Sequence, residues 1–479
     1  MLNQQLAYSS STDLLNLIKT KQVSPVELIE LFLRRIEDID HQLNSFLLVT
    51  HDIALQQAKD AEDAIMRSNA LGPLHGLPIP IKDNQMTAGI RTTSGSIIFK
   101  DHVPKNNAAF LERILDAGGI ILGKTNCSEL GFVGTCENGL GITGKNPWDT
   151  SRSPGGSSGG AAAAVAAGLA PIATGGDGGG SLRIPANFCG TYAIKPTLGR
   201  VSGYSGVPGP PTPNFFGQPG PIGRTVKDAA LLLQTMAGFD RRDPGTIRAE
   251  PPDFVAATER PIDGLRIAWS PDFGFAEVDP DVAHITHQAT LAFQDLGCSV
   301  DEIDITLLEP YDSFGPIQAA TAYNNLAKYL DEYGDKMTAY GQYWVERGSK
   351  VTTADYAAAL GRIDELKAIF EDIFTRYDLV LAPVARFPAF VNEPFPGSIT
   401  GTSSFPEQFW NGAFTMHSNA TGCPAASIPA GFTPAKPEQP SLPVGLQIIG
   451  RRYDEVTVLA ASAAFENAYP WMGRRPPVS

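Results

Sequence analysis

The sequence predicts a mixed α/β protein in which a twisted sheet is covered by helices on both faces. Three observations lead there. Short apolar runs alternate with helix-spaced apolar patterns from Leu77 onward. The composition, 43% apolar and 18% charged over 479 residues, is globular and puts no limit on core size. A long uncharged stretch rich in Ala and Gly, Ser153 to Gly176, reads in its later part as a buried helix followed by a strand.

The first 70 residues read as helices. Ser24 is an N-cap, Pro25 takes the first helical position, Glu27 completes a capping box, and Val23 with Leu28 forms a hydrophobic staple. Leu28, Phe32, Ile36 and Ile39 then make an apolar stripe for packing. A strand follows at Leu77 to Ile81, a helix near Ala108 to Asp116, and a strand at Ile120 to Leu122. The Ala-rich helix Gly160 to Ala167 leads into a strand at Ala170 to Thr174, and Thr225 caps a helix through Met236. Later strands are expected at Leu265 to Trp269, Leu379 to Ala382, Ala425 to Pro429 and Val444 to Ile449, with Ile305 to Tyr377 mainly helical. Gly199 to Pro221 is too dense in Gly and Pro for a long helix or an internal strand, which leaves a rigid surface loop or a lid over a pocket. No interdomain linker stands out. Residues 1–479 are expected to form one domain, with N-terminal helices to about 70, a core over about 71–238 and a helical, pocket-forming insert over about 305–377.

The net charge of −14 disfavours nucleic acid and anionic membrane as partners. The stretch Ser153 to Gly176 is too weakly apolar for a bilayer span. Five cysteines without CxxC spacing read as reduced thiols, and the start shows no basic-then-apolar leader, so a cytoplasmic location is expected.

The chemistry concentrates in two glycine-rich turns around the Ala-rich helix: Pro154-Gly-Gly-Ser-Ser-Gly-Gly160 and Gly175-Gly-Asp-Gly-Gly-Gly-Ser181-Leu-Arg-Ile-Pro185. Such turns let consecutive amides converge on one anion. A phosphate cradle fails on spacing, since neither GxxxxGK[ST] nor a helix-opening GxGxxG with its acidic partner is present. A Gly run ending in Ser suits an oxyanion hole beside a nucleophile. None of the seven His lies in a GxSxG-compatible or HExxH arrangement, and His284 with His287 reads as an exposed pair on a helix. A histidine triad, whose members are remote in sequence, stays open. The competing base is Lys82, at the end of an apolar segment that would carry it into the interior, where desolvation favours the neutral amine; its bland alternative is a surface charge beside Asp83.

Lys82 in Ile-Lys-Asp, the Pro-Gly-Gly-Ser-Ser-Gly-Gly turn, and Asp177-Gly-Gly-Gly-Ser-Leu-Arg-Ile-Pro-Ala186 stand in the order and at the separations of the amidase signature family, which this chain resembles. Lys82 precedes Ser157 by 75 positions and Ser157 precedes Ser181 by 24. The likeness continues through Gly123-Lys-Thr-Asn126, Asn146-Pro-Trp-Asp149, Gly220 to Thr225 and Leu442 to Gln447, and is weakest between Asp240 and Tyr377. The resemblance implies the amidase signature fold and a Ser, cis-Ser, Lys triad. Ser181 would be nucleophile, Ser157 the proton relay after a cis peptide, and Lys82 the general base. The N–H groups of Gly178, Gly179, Gly180 and Ser181 would form the oxyanion hole, with no metal or cofactor. Ser158 is expected to support the relay, and Asp177 and Arg183 to shape the loop as an ion pair.

Where the family commonly has Thr-Asp-Thr-Gly-Gly-Ser, this chain has Gly176-Asp-Gly-Gly-Gly-Ser181. Loss of the side chain at Gly178 would widen the acyl pocket, whose apolar lining is expected among Phe132, Phe215, Phe216, Tyr323, Phe405 and Trp410. The implied function is cleavage of a bulky, aryl or oligomeric amide through a serine acyl-enzyme, with carbamates and esters open to the same site, by a monomer or homodimer acting on small molecules. The alternative is the amidase subunit of a glutamine-dependent aminoacyl-tRNA amidotransferase. The short tail after Trp471 and the aromatic-rich middle favour the stand-alone enzyme.

Overall fold

The structure is a computed structural model, and it describes residues 2–67, 70–207, 214–307, 309–392, 414–436 and 440–478. Its main sheet has eight strands. They are β4 (Ile172–Asp177), β5 (Tyr192–Lys195), β6 (Gln218–Gly223), β7 (Arg266–Trp269), β8 (Ser299–Glu302), β9 (Leu379–Pro383), β10 (Ala425–Phe432) and β11 (Pro443–Gly450). Their order is β4-β6-β5-β10-β11-β9-β7-β8. Pairing is antiparallel from β4 to β9 and parallel where β7 meets β9 and β8. The sheet is mixed and flanked by helices, as the alternation of patterns predicts.

The two earliest apolar runs stand apart from this sheet. β2 (Pro78–Lys82) and β3 (Ile120–Thr125) pair in parallel, and β1 (Phe46–Val49) adds antiparallel to β3, giving a separate three-stranded sheet. β1 corrects the all-helical reading of the first 70 residues. The Asp40 carboxylate accepts from Ser45 N at 2.8 Å and Phe46 N at 3.1 Å, a local cap that turns the chain into the strand.

β6 corrects the reading of Gly199 to Pro221, because an internal strand does run through its end. Pro219 and Pro221 pair only with β4, opposite Gly176 and Thr174, whereas β5 reaches no further than Ile222 and Gly223. The proline half of β6 is therefore effectively an edge, where a missing N–H is tolerated. β8 gave no apolar signal because it is a polar strand at the sheet margin.

The helix Pro25–Ile39 begins with the capping box expected at Ser24 and Glu27, and Thr225 accepts from Asp228 N at the start of Val226–Met236. The Asp228 carboxylate also receives Ser11 N at 2.9 Å and Thr12 N at 3.1 Å, pinning an N-terminal helix to the core. The helices Pro310–Leu326, Ala339–Gly348 and Thr353–Arg376 gather around a separate apolar cluster that includes Trp344 and Phe314. Buried Glu129 ties this insert to the core: its carboxylate accepts from Ser96 Oγ at 2.7 Å and from Thr338 N at 2.8 Å. All five cysteines are buried and free. No helix among the described residues is long and apolar enough to cross a membrane.

Candidate active site

Three backbone segments converge at the C-terminal end of β4. β2 ends in Lys82, whose backbone N–H donates to Thr174 Oγ1 of β4 at 3.3 Å. β4 ends in Asp177 and passes through Gly178-Gly179-Gly180-Ser181 into the helix Arg183–Cys189. The turn before the Ala-rich helix Gly159–Ala166 supplies Ser157, and its Gly156-Ser157 peptide is cis. Gly156 must be glycine, because a Cβ there would overlap the carbonyl oxygen of Thr135. The two turns are joined by Ser158 N donating to Ser181 O at 3.2 Å, and Ser158 Oγ sits 3.3 Å from both the N and O of Gly176.

Lys82 is buried, and its Nζ lies 2.7 Å from Ser157 Oγ. Burial pushes its amine down to about 8, opposed by Cys127, Cys136 and Asp177. Burial also pushes both thiols up, Cys136 to about 12, so at neutral pH neither is an anion and Asp177 is the one negative charge among these three. The Ser181 hydroxyl makes no hydrogen bond to any described residue. It opens onto a cavity of about 320 Å³ whose wall also holds Lys82, Ser157, Asp177 and Gly178.

Asp177 organises the loop from Gly178 to Ser181. Its carboxylate accepts from Gly180 N at 2.7 Å and Leu182 N at 3.2 Å, and pairs with Arg183 Nη2 at 2.8 Å and Nε at 2.9 Å. Burial alone would raise this carboxyl; Arg183, Lys195 and Asn419 hold it down to about 2. The expected ion pair is present. Gly180 departs from the expected oxyanion hole, because its N–H is already donated. Gly178, Gly179 and Ser181 keep theirs without a partner among the described residues.

Several supporting residues escaped sequence reasoning. Arg183 Nη1 donates to Thr415 O at 2.8 Å, Ser418 Oγ at 2.5 Å and Gln447 Oε1 at 2.6 Å, and its Nη2 to Asn419 Oδ1 at 2.6 Å. Gln85 accepts from Thr174 Oγ1 at 2.6 Å and donates to Gly175 O at 2.8 Å, and buried Lys124 in turn donates to Gln85 O at 2.6 Å. Burial pushes Lys124 down to about 8 and Lys195 to about 7. Lys124 and Gln447 lie in segments that carried the family likeness, so the signal was there without its chemistry.

The expected aromatic lining is largely elsewhere. Phe132 and Phe216 are buried in the insert's cluster, where Phe216 packs on Phe314 with ring centroids 4.7 Å apart, and Phe215 packs against the same cluster. Tyr323 is 41% exposed, and from its helix Gln318 faces the cavity instead. Phe405 and Trp410 lie outside the described residues. Beyond Lys82, Ser157 and Ser181, the wall includes Asn84, Met86, Phe110, Leu130, Tyr204 and Gln318. Among the described residues, no group of three or more His, Cys, Asp or Glu is arranged to hold a metal ion.

The Amidase family model matches residues 27–459. The A-type subunit of the glutamyl-tRNA(Gln) amidotransferase of Carboxydothermus hydrogenoformans is 35% identical over 98% of this chain and 99% of its own length. An acylamidase of Rhodococcus erythropolis is 34% identical, covering 99% of this chain and 98% of the relative. Among solved structures, a bacterial aryl acylamidase of the amidase signature enzymes superposes with a TM-score of 0.88 at 31% identity, over 97% of each chain. A 6-aminohexanoate cyclic dimer hydrolase in complex with substrate gives a TM-score of 0.86 at 26% identity, over 98% of this chain and 99% of the other.

Proposed function

The chain belongs to the amidase signature family, and we propose that it is a stand-alone hydrolase cleaving uncharged, bulky, aryl or oligomeric amides through an acyl-enzyme on Ser181. The observation that carries this reading is the 2.7 Å contact of buried Lys82 Nζ with Ser157 Oγ, on the wall of the cavity that Ser181 also faces. Neutral Lys82 takes the Ser157 proton while Ser157 takes that of Ser181, whose Oγ, held by no described residue, turns to attack the carbonyl carbon. The carbonyl π electrons move onto oxygen, which the N–H groups of Gly178, Gly179 and Ser181 receive; each such donor is worth roughly 3 to 4 kcal/mol in the transition state. When the intermediate collapses, the C–N bond breaks, Ser157 gives a proton to the departing amine and regains one from Lys82, which is neutral again. Water then attacks the acyl-enzyme by the same relay and frees the acid and Ser181.

The cavity wall supports an uncharged substrate. Lys82 and Asp177 are the only charged side chains lining it among the described residues, and both are engaged, with Ser157 and Arg183. A buried ammonium or carboxylate on the substrate would lack a counter-charge. Size is supported by Gly176 and Gly178, both on the wall: a Cβ on Gly176 would meet nothing within 4 Å, and one on Gly178 only Gly217 Cα at 4.0 Å. Esters and carbamates of similar shape enter the same acylation step.

The 35% identity to a component of an amidotransferase favours a second reading, a glutaminase that feeds a partner enzyme. Free glutamine carries both an ammonium and a carboxylate, which this wall does not match. Turnover of the purified chain on anilides, oligoamides, carbamates, esters and glutamine decides between them. Release of acid from the neutral substrates and none from glutamine is expected; glutamine as the sole substrate overturns the leading reading.

A further inference from the structure

The cavity wall carries five carboxamide side chains: Asn84, Gln85, Asn214, Gln218 and Gln318. Three are occupied structurally. Gln85 holds Thr174 and Gly175, Gln218 bonds Gly199 N and Val201 O, and Asn214 closes a turn onto Phe216 and Gly217. Asn84 and Gln318 make no hydrogen bond to any described residue. Of these two, Asn84 shares a neighbour, Gly131, with Ser157. Its Nδ2 and Ser157 Oγ come within 3.5 Å and 3.4 Å of one point, the position a Cβ would take on Gly131. Asn84 is half-buried and stands two residues past Lys82.

We infer that Asn84 is a specificity-determining residue that accepts the N–H of the scissile amide and so favours amides over esters; this rests on the acyl-enzyme reading above. The geometry follows from what the leaving nitrogen must do. To take the proton from Ser157 its lone pair has to face that hydroxyl, so the nitrogen becomes pyramidal and its N–H swings out of the amide plane. Inside a cavity that N–H has lost water, and an unmade hydrogen bond there weighs on the transition state. The Asn84 carboxamide stands across the Gly131 position from the same hydroxyl, and with no competing partner among the described residues it can turn about its terminal torsion to present its acceptor oxygen where Nδ2 stands. An ester leaving group has no N–H, so it gains nothing from Asn84.

The test compares kcat/KM for a nitroanilide and a nitrophenyl ester sharing one acyl group, because kcat/KM reports acylation for both. In Asn84→Ala and Asn84→Leu the anilide-to-ester ratio is expected to fall about 10- to 100-fold, through kcat more than KM. Retained labelling of Ser181 by a fluorophosphonate keeps the comparison on an intact site. An unchanged ratio, an equal loss on both substrates, or loss of labelling in both variants overturns the assignment and makes Asn84 structural. A wild type that cleaves neither substrate removes the hydrolase reading itself.

Discussion

The Asp177 carboxylate holds the Gly180 N–H at 2.7 Å, and that bond divides the glycine turn into one amide that builds the loop and three that remain for chemistry. Asp177 and Arg183 are both fully buried, so neither charge has water to fall back on. Asp177→Asn leaves the Arg183 guanidinium uncompensated and is expected to destabilise the protein by about 3 to 5 kcal/mol in denaturant melts near neutral pH. The pH sign follows from the depressed carboxyl. Held at about 2 against an ordinary 3.8, Asp177 contributes stability that is complete above the ordinary value and lost as pH falls through about 2. A variant within about 0.5 kcal/mol of wild type would show that the pair does not hold the loop.

Lys82 sets the kinetic pH dependence. The relay needs the free amine, and the amine is held at about 8, so kcat/KM is expected to rise with pH along a single-proton limb centred near there. Lys124 and Lys195 titrate in the same range but neither bonds to Ser157. Lys124→Met should therefore keep the midpoint of the limb while lowering its height through Gln85, and Lys82→Ala should remove the limb together with activity. A profile flat from about pH 6 to about pH 9 would exclude a lysine base.

The two serines are separable by covalent labelling. Ser181→Ala should abolish both fluorophosphonate labelling and turnover, by roughly 10³-fold or more. Ser157→Ala keeps the nucleophile but interrupts the path to Lys82, so labelling should persist at a slower rate while amide turnover collapses. Labelling at Ser157 in the Ser181→Ala variant would reverse the assignment.

The two glycine-rich turns were legible because their patterns are local, but the residues alone left a histidine base open and Lys82 readable as a surface charge; the order and separations shared with the amidase signature family singled out Lys82, Ser157 and Ser181. The partners that hold them are not local: Arg183 reaches Thr415 and Gln447 across 232 and 264 positions. That Gly180 is spent while Gly178 is free depends on the direction of one carboxylate, which no residue pattern encodes. The cavity wall was misread for a related reason. Tyr323 and Gln318 are five positions apart on one helix, about 140° around its axis, and only packing decides which face meets the site. Phe132 and Phe216 found apolar partners in the insert and were drawn into its core. β6 was missed because proline content argues against internal strands in general, whereas this strand is paired on both sides only at its proline-free end.

Two glycines of the nucleophile loop should respond to substitution in opposite ways. At Gly178 a side chain would point into the cavity with Gly217 Cα 4.0 Å from its Cβ, so Gly178→Thr should fold normally, within about 0.5 kcal/mol of wild type. It should cut kcat/KM for bulky aryl amides at least about tenfold while leaving an acetamide-sized substrate little changed, because the added branch occupies acyl space. At Gly180 the backbone has φ +126°, and a Cβ would overlap Thr415 Oγ1, which donates to Gly179 O at 2.7 Å. Gly180→Ala must therefore displace Thr415 and disturb the amide beside the oxyanion, and it is expected to lower stability by about 1 to 3 kcal/mol and to slow large and small substrates alike. Measuring both variants on both substrates separates the effects: a size-dependent loss confined to Gly178→Thr assigns the acyl pocket to that side of the loop. An equal loss on both substrates in Gly178→Thr would mean that the missing side chain matters to the oxyanion hole and not to the width of the pocket.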